Sequence, residues 1–180
     1  MTVSSSSRSP TEADERVRDL VRCRETFQRE IVKSRHYILK FMRRRGFIYR
    51  EGTHWTARHL DWIRRTLAPG TLAEEDQIVL AEYLALLEYK LQRRDDLDRR
   101  IEDLALTPRY RPLVDRLCCF RGFKAQATMV IATELGDVSR FENPRQLMAY
   151  VGLVPSEHSS GERRRLGAIT KAGNTRVRHI

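Results

Sequence analysis

Serines beside a glycine, followed by a run of arginines, are the residues here whose types and order point to chemistry. The stretch is Pro155-Ser156-Glu157-His158-Ser159-Ser160-Gly161-Glu162-Arg163-Arg164-Arg165. Serines next to glycine give an exposed, adaptable loop. A hydroxyl attacking a phosphodiester needs a route for its proton and a means of holding the charge that builds on phosphorus. Arginine forks meet the second need through paired contacts to phosphate oxygens. A covalent phosphoserine would conserve the bond energy, so that strands can be rejoined without ATP. On composition alone the plainer reading is a solvated basic turn, and Ser156, Ser159 and Ser160 are not told apart.

Two further stretches suit a phosphate backbone. In Leu117-Cys118-Cys119-Phe120-Arg121-Gly122-Phe123-Lys124, two short helices meeting at a glycine can aim the N–H groups of the second helix at a phosphate. Arg121 and Lys124 flank that turn. The pattern resembles a helix-hairpin-helix element but has Lys124 where a second glycine usually stands, and the alternative is an ordinary helical corner. In Ile169-Thr170-Lys171-Ala172-Gly173-Asn174-Thr175-Arg176-Val177-Arg178, a turn carrying Lys171, Asn174 and Arg176 can clamp a DNA backbone or simply close the chain as a basic turn and helix.

The charge agrees with a polyanionic partner. Thirty-four Lys and Arg against 24 Asp and Glu leave a formal net charge of +10 in 180 residues, which favours nucleic acid. An anionic membrane surface fits less well, because the basic residues do not line one face opposite Trp and Phe. The three cysteines, Cys23, Cys118 and Cys119, are odd in number and show no CxxC or histidine spacing. Neither a disulfide framework nor a zinc site is expected. No apolar core marks the N-terminus as a signal peptide, and no apolar run approaches the roughly 20 residues of a membrane span. The expected location is the cytoplasm.

These stretches must be positioned by helices. The Ser-rich residues 1–10 are expected to be disordered, with a helix start at Ser9-Pro10-Thr11-Glu12 and a helix running to about Arg45 before Gly46. Its apolar stripe is Val17, Leu20, Val21, Phe27, Ile31, Ile38 and Phe41. The near-3.5 spacing is that of a coiled-coil seam, interrupted by Arg24 and Ser34. Acid-first pairs such as Asp14 with Arg18 support the exposed face. A short helix from about His54 to Leu67 ends at Pro69-Gly70. A capping box at Thr71-Leu72-Ala73-Glu74 opens a second long helix to about Leu106, with Val79, Tyr83, Leu87, Leu91, Leu97, Ile101 and Leu104 as its stripe. The two long helices are expected to pack antiparallel or to pair with a second subunit.

Small helices follow Thr107-Pro108, at about 108–120, Lys124 to Leu135 and Asn143 to Tyr150, then a basic tail with no sustained strand signal. The expected fold is all-α: a long antiparallel helical hairpin over 11–106, then a small helical domain over 107–180 with a basic C-terminal tail.

The run GDVSRFENPRQLMAYVGLVPSEHSSGERRRLGAITKAGNTRVRH resembles the C-terminal domain of insertion-sequence transposases that combine a DEDD carboxylate domain with a serine domain, also described as bridge-RNA-guided recombinases. The shared pieces are a phenylalanine before a Pro-Arg-Gln-Leu helix, a Gly-Leu-x-Pro turn, a Ser-Gly dipeptide and an Ile-Thr-Lys-x-Gly-Asn turn. The helices from about Asp14 to Leu106 look like that family's coiled coil. The resemblance implies a nucleophilic serine in the Ser-Gly dipeptide, here Ser160, with Ser159 and Ser156 as neighbours the assignment can slip to. Arg163, Arg164, Arg165 and Lys171 would then contact phosphate.

The family's magnesium-binding carboxylates sit in a preceding domain, so this sequence is expected to be a partial gene product without a cofactor of its own. Asp95, Asp96 and Asp98 alternate with arginines as a solvated face, and Glu74, Glu75 and Asp76 fill a helix first turn. Neither group reads as a metal site. The implied partners are DNA, a guide RNA and a second copy through the coiled coil. Against a recombinase stand two other readings: a binding or dimerising module that modulates a full-length transposase, and a decayed remnant.

Overall fold

The computed structural model describes residues 11–157 and 166–180. The expected disorder of 1–10 and the cap at Ser9 therefore lie outside the described residues, as do Ser159, Ser160, Arg163, Arg164 and Arg165. Among the described residues, seven α-helices carry the fold: α1 (Glu12–Arg44), α2 (Ala57–Arg65), α3 (Glu74–Ala105), α4 (Arg111–Cys118), α5 (Ala125–Leu135), α6 (Pro144–Val151) and α7 (Thr175–Arg178). Two short strands, β1 (Pro155–Glu157) and β2 (Leu166–Ile169), add an antiparallel ribbon. The protein is all-α in class, and the ribbon is the departure from the strandless expectation. Strands of three and four largely exposed residues are too short to print an alternating pattern on the sequence.

The chain divides into two compact units, one of Cys23–Leu97 and one of the residues up to Arg22 with Asp98–Ile180. Both long helices run through the division.

In the Cys23–Leu97 unit, α1 and α3 lie antiparallel and α2 packs with them. The core is Ile31, Ile38, Phe41, Met42, Ile63, Leu80, Leu84 and Leu87. Burying an aliphatic side chain of this size contributes about 1.5–3 kcal/mol. The α1 stripe falls where periodicity puts it from Ile31 to Phe41. On α3 the deep positions are Leu80 and Leu84, whereas Val79 is 36% exposed. The helix is apolar on several sides there, so spacing alone did not choose the seam. Ser34, the polar break in the stripe, is buried and accepts a hydrogen bond of 2.9 Å from Lys90 Nζ, which also lies 3.6 Å from Glu30.

Helix ends also shift. α1 is capped by Thr11, whose Oγ1 accepts from the Asp14 N–H while Asp14 Oδ2 accepts from the Thr11 N–H. This is the reciprocal arrangement expected two residues earlier. It takes Asp14 away from Arg18, which pairs instead with Glu15 and donates to the Thr133 carbonyl. α2 starts late because Thr56 Oγ1 caps it by accepting the His59 N–H. α3 starts at Glu74 because the Pro69-Gly70 turn carries on through Thr71, whose N–H donates to Ala68 O. Trp55 precedes α2 in the left-handed region, with φ of 67°. Its N–H donates to His59 Nδ1 at 3.0 Å, which leaves the imidazole proton on Nε2.

The other unit gathers Val21, Ile101, Ala105, Tyr110, Val114, Met129, Val130 and Ala132 into its core. Here α5 is the central piece, with every residue from Thr128 to Leu135 except Ile131 buried. No helix among the described residues is long and apolar enough to cross a membrane.

Candidate nucleic-acid interface

Three local constructions position the C-terminal residues. The first is the α4–α5 corner. α4 ends at Cys118, the chain turns at Gly122 (φ 97°), and α5 begins at Ala125. Arg121 and Lys124 are exposed at this corner. Lys124 occupies the cap position with extended backbone and offers no side-chain acceptor to the first N–H groups of α5. The corner has the two short helices and the glycine turn of the sequence reading, and it leaves the end of α5 open to a phosphate.

The second is the passage from α6 into the ribbon. Asn143 Oδ1 caps α6 by accepting the Gln146 N–H at 3.1 Å, and Gln146 Oε1 accepts the Glu142 N–H at 2.9 Å. Gly152 ends the helix in the left-handed region, and the Leu153 N–H returns to Met148 O at 2.8 Å. β1 then pairs with β2, Pro155 opposite Ile169 and Glu157 opposite Leu166, with a bulge between. Ser156 Oγ donates to the Ala168 carbonyl at 3.1 Å. That hydroxyl is thus engaged within the ribbon. Positions 158–165, with His158, Ser159, Ser160 and the three arginines, join the two strands in the chain.

The third is the turn after β2. The Thr170 N–H donates to Val154 O, that of Lys171 to Gly152 O and that of Asn174 to Tyr150 O. The two backbones touch so closely that a Cβ on Gly152 would lie 1.8 Å from Ala172 O, and one on Gly173 2.0 Å from Tyr150 O. Only glycine fits either position. Lys171 is exposed, with φ of 55°, at the centre of this interlock.

Asn174 and Arg176, read from the sequence as DNA contacts, face an internal partner that sequence reasoning missed. Glu134 on α5 has a side chain only 3% exposed. Its carboxylate accepts from Arg22 Nε and a second Arg22 nitrogen at 2.7 and 3.0 Å and from Asn174 Nδ2 at 2.9 Å, with Arg176 Nε at 3.8 Å. Burial works to raise its pKa, but the hydrogen bonds from Arg22 and Asn174 and the nearby guanidinium charges outweigh it and hold the carboxyl below its ordinary value. Asn174 Oδ1 meanwhile accepts the N–H groups of Arg176 and Val177, capping α7. Arg178 ties α7 back through a bond to Val151 O at 2.9 Å. A Glu inside an otherwise apolar helix was the available signal, though nothing local named its partners.

Several described carboxylates are engaged by basic or amide groups. Asp95 and Asp96 are engaged by Arg94 and Arg93, Asp76 is held bidentately by Arg45, and Glu134 is saturated by Arg22 and Asn174.

A helical protein with a basic, backbone-locked C-terminal end is the class that fold and site define. Residues 114–180 match the family described as Transposase IS116/IS110/IS902. The chain is 37% identical over 171 residues to a protein named as a transposase from Sinorhizobium fredii, covering 95% of this chain and 40% of that one. It is 26% identical over 137 residues to the transposase for insertion sequence element IS1533 of Leptospira borgpetersenii, covering 76% of this chain and 39% of that one. Fifty residues are 42% identical to the transposase for insertion sequence element IS1111A of Coxiella burnetii, covering 28% of this chain and 14% of that one. Over residues 114–180 the chain is thus similar to the IS110/IS116/IS902 insertion-sequence transposases, and it spans about two fifths of the length of the first two relatives.

Proposed function

We propose that this chain is the DNA-handling C-terminal part of an insertion-sequence transposase of the DEDD-plus-serine kind, in which Ser160 attacks a DNA phosphodiester. The serine Oγ loses its proton to a base, forms a bond to phosphorus and displaces the sugar oxygen, which takes up a proton. Attack by a strand's free hydroxyl on the phosphoserine reverses the step and rejoins DNA. Arg163, Arg164, Arg165 and Lys171 hold the phosphate oxygens, and Arg121 and Lys124 track the backbone. The observation that carries this reading is the interlock of the Lys171 turn with the end of α6, within the family-matched segment and beside the paired strands that flank 158–165. It supplies a fixed base for a reactive loop, since phosphate contacts must be held to within a fraction of an ångström.

Ser159 is the neighbour to which the role can pass. Ser156 is less suited, because its hydroxyl already donates to Ala168 O. Pairing of two chains through α1 and α3 belongs to the same proposal, supported by Ile78, Leu86 and Tyr89, which α3 exposes. So do a guide RNA as partner and a cytoplasmic location.

The test is a covalent trap. The chain, alone and with the remaining segment of a full-length relative supplied in trans, is incubated with DNA carrying the element's end, and the protein–DNA adduct is isolated under denaturing conditions. The expected result is an adduct that Ser160→Ala abolishes and Ser156→Ala leaves in place. An adduct that survives Ser160→Ala refutes the assignment.

A further inference from the structure

The stretch from Arg43 to Arg65, where α1 ends, a loop crosses and α2 runs, holds seven arginines, no lysine and two acids, Glu51 and Asp61. It lies in the Cys23–Leu97 unit, outside the family-matched residues. The nearby acids are already used. Arg58 pairs with Glu51, Arg64 with Asp61 and Glu88, and Arg45 grips Asp76 through both carboxylate oxygens at 2.6 Å. Arg45, with the charge of Arg44 added, holds the Asp76 carboxyl below its usual range. Arg43, Arg44, Arg50 and Arg65 remain, all exposed, and none makes an ion pair with a described residue.

Three of these four adjoin packed residues of the unit. Arg43 follows Met42, Arg50 follows Tyr49 and Arg65 precedes Thr66. Thr66 Oγ1 reaches Met42 Sδ at 3.9 Å, and the Tyr49 ring packs on Trp62 and His59 at centroid distances of 5.3 and 4.6 Å. The backbone beside Arg43, Arg50 and Arg65 is therefore held by packed neighbours, and Arg44 follows Arg43 at the end of α1. Basic residues in the last turns of α1 and α2 suit the helix dipoles, but Arg50 belongs to neither helix, so the dipoles do not account for it.

We infer that Arg43, Arg44, Arg50 and Arg65 form a second nucleic-acid surface on the α-helical unit, which binds the phosphodiester backbone without reading bases. The exclusive use of arginine suits phosphate oxygens, which its planar fork can grip in pairs. The aromatic rings that would stack on bases are turned into the unit: Tyr49 is 7% exposed, His59 not at all, and Trp55 and Trp62 are part-buried. They serve as scaffold, so contact is left to charge. The same inward turn disfavours a lipid surface, where Trp and Tyr would sit at the headgroups. Among the large apolar side chains of the stretch, Ile48 is the exposed one.

The test uses the full chain with Arg43, Arg44, Arg50 and Arg65 all changed to alanine, and a second variant with all four changed to lysine. Binding to a random-sequence DNA duplex and to an RNA duplex is measured across a salt series. The measurements are made in the wild-type background and with Arg163, Arg164, Arg165 and Lys171 replaced by alanine, which separates this surface from the proposed C-terminal one. The alanine variant should bind roughly tenfold or more weakly at low salt. Its log–log salt slope on DNA should be shallower by about 0.9 for each arginine that neutralises a phosphate. The lysine variant should keep the slope and lose part of the affinity. A larger loss on DNA or on RNA identifies which of the two the surface serves. An alanine variant that melts as the parent does and binds both within twofold overturns the inference. So does one whose loss appears only on anionic-lipid vesicles. If the alanine variant fails to melt cooperatively, the lysine variant decides, since unchanged affinity there for both duplexes refutes the fork contacts.

Discussion

The two units are held by different kinds of bond. Cys23–Leu97 is a seam of aliphatic side chains with one polar break, Ser34, answered by Lys90. The unit containing Asp98–Ile180 has an apolar core too, but its C-terminal end is fixed by backbone meeting backbone and by one buried carboxylate with three partners. A seam is tolerant, because its energy is spread over many contacts and volume-conserving changes cost little. An interlock is not, because it depends on two missing Cβ atoms and one charge balance. The end that would carry chemistry is thus the more brittle one, as expected where side chains must be held in place rather than merely packed.

The sharpest way to break this contrast is Gly173→Ala. The new Cβ meets the Tyr150 carbonyl, and the residue's φ of 98° is strained for alanine in any case. A loss of roughly 3 kcal/mol or more is expected, confined to one unit. Hydrogen exchange should show residues 150–157 and 166–178 deprotected while α1 and α3 between 31 and 91 keep their protection. Equal loss in both units would mean that they are not separately stabilised.

Arg22→Ala should come next. It leaves Glu134 buried with Asn174 and the more distant Arg176. Breaking a fully buried pair costs about 3–5 kcal/mol. Arg22 is 38% exposed, so water screens part of its charge and about 2 kcal/mol is the expected loss in a urea melt. Arg22→Ala with Glu134→Gln should recover part of it, since an amide leaves no stranded charge. No recovery would mean that Arg22 acts through packing alone. Arg22 also lies outside the family-matched segment 114–180, so the nearer of the two guanidiniums beside Glu134 comes from α1.

The same contrast explains how much the sequence disclosed. Helices of thirty-odd residues repeat their pattern many times, so α1 and α3 were legible to within a few residues, and errors stayed local: Val79 for Leu80 on α3, His54 for Ala57 at the start of α2. The Asn143 cap and the stop at Gly152 were legible as well, since each is a one-residue signal. What could not be read was anything resting on a distant partner. Asn174 looks like a phosphate ligand until Glu134, forty residues away, is seen to hold its amide. Ser156 looks as free as Ser160 until the ribbon brings Ala168 O to its hydroxyl. Gly173 reads as a flexible turn, yet the touch of Tyr150 O makes it one of the most constrained positions in the chain.

Acid should separate the units, with the smallest effect of the three. In Cys23–Leu97, His59 is fully buried, and burial first, then the charge of nearby His54, lower its pKa. The folded unit therefore holds the neutral ring. Its contribution is complete above the ordinary histidine range, about pH 6.5, and is lost as pH falls through the lower folded value. In the other unit Glu134 is held in its charged form, so its contribution persists to about pH 4.5 and fades only below that, as the folded carboxyl protonates. One proton limits the His59 effect to about 1.4 kcal/mol per pH unit. Between about pH 6.5 and 5, melts followed by Trp fluorescence, whose reporters Trp55 and Trp62 both sit in the same unit as His59, should shift down, while exchange protection of α5 holds. His59→Phe should remove the pH dependence of the fluorescence melt even if it lowers stability throughout. If that dependence survives the substitution, the proton goes to another group and His59 is not the source of the acid sensitivity.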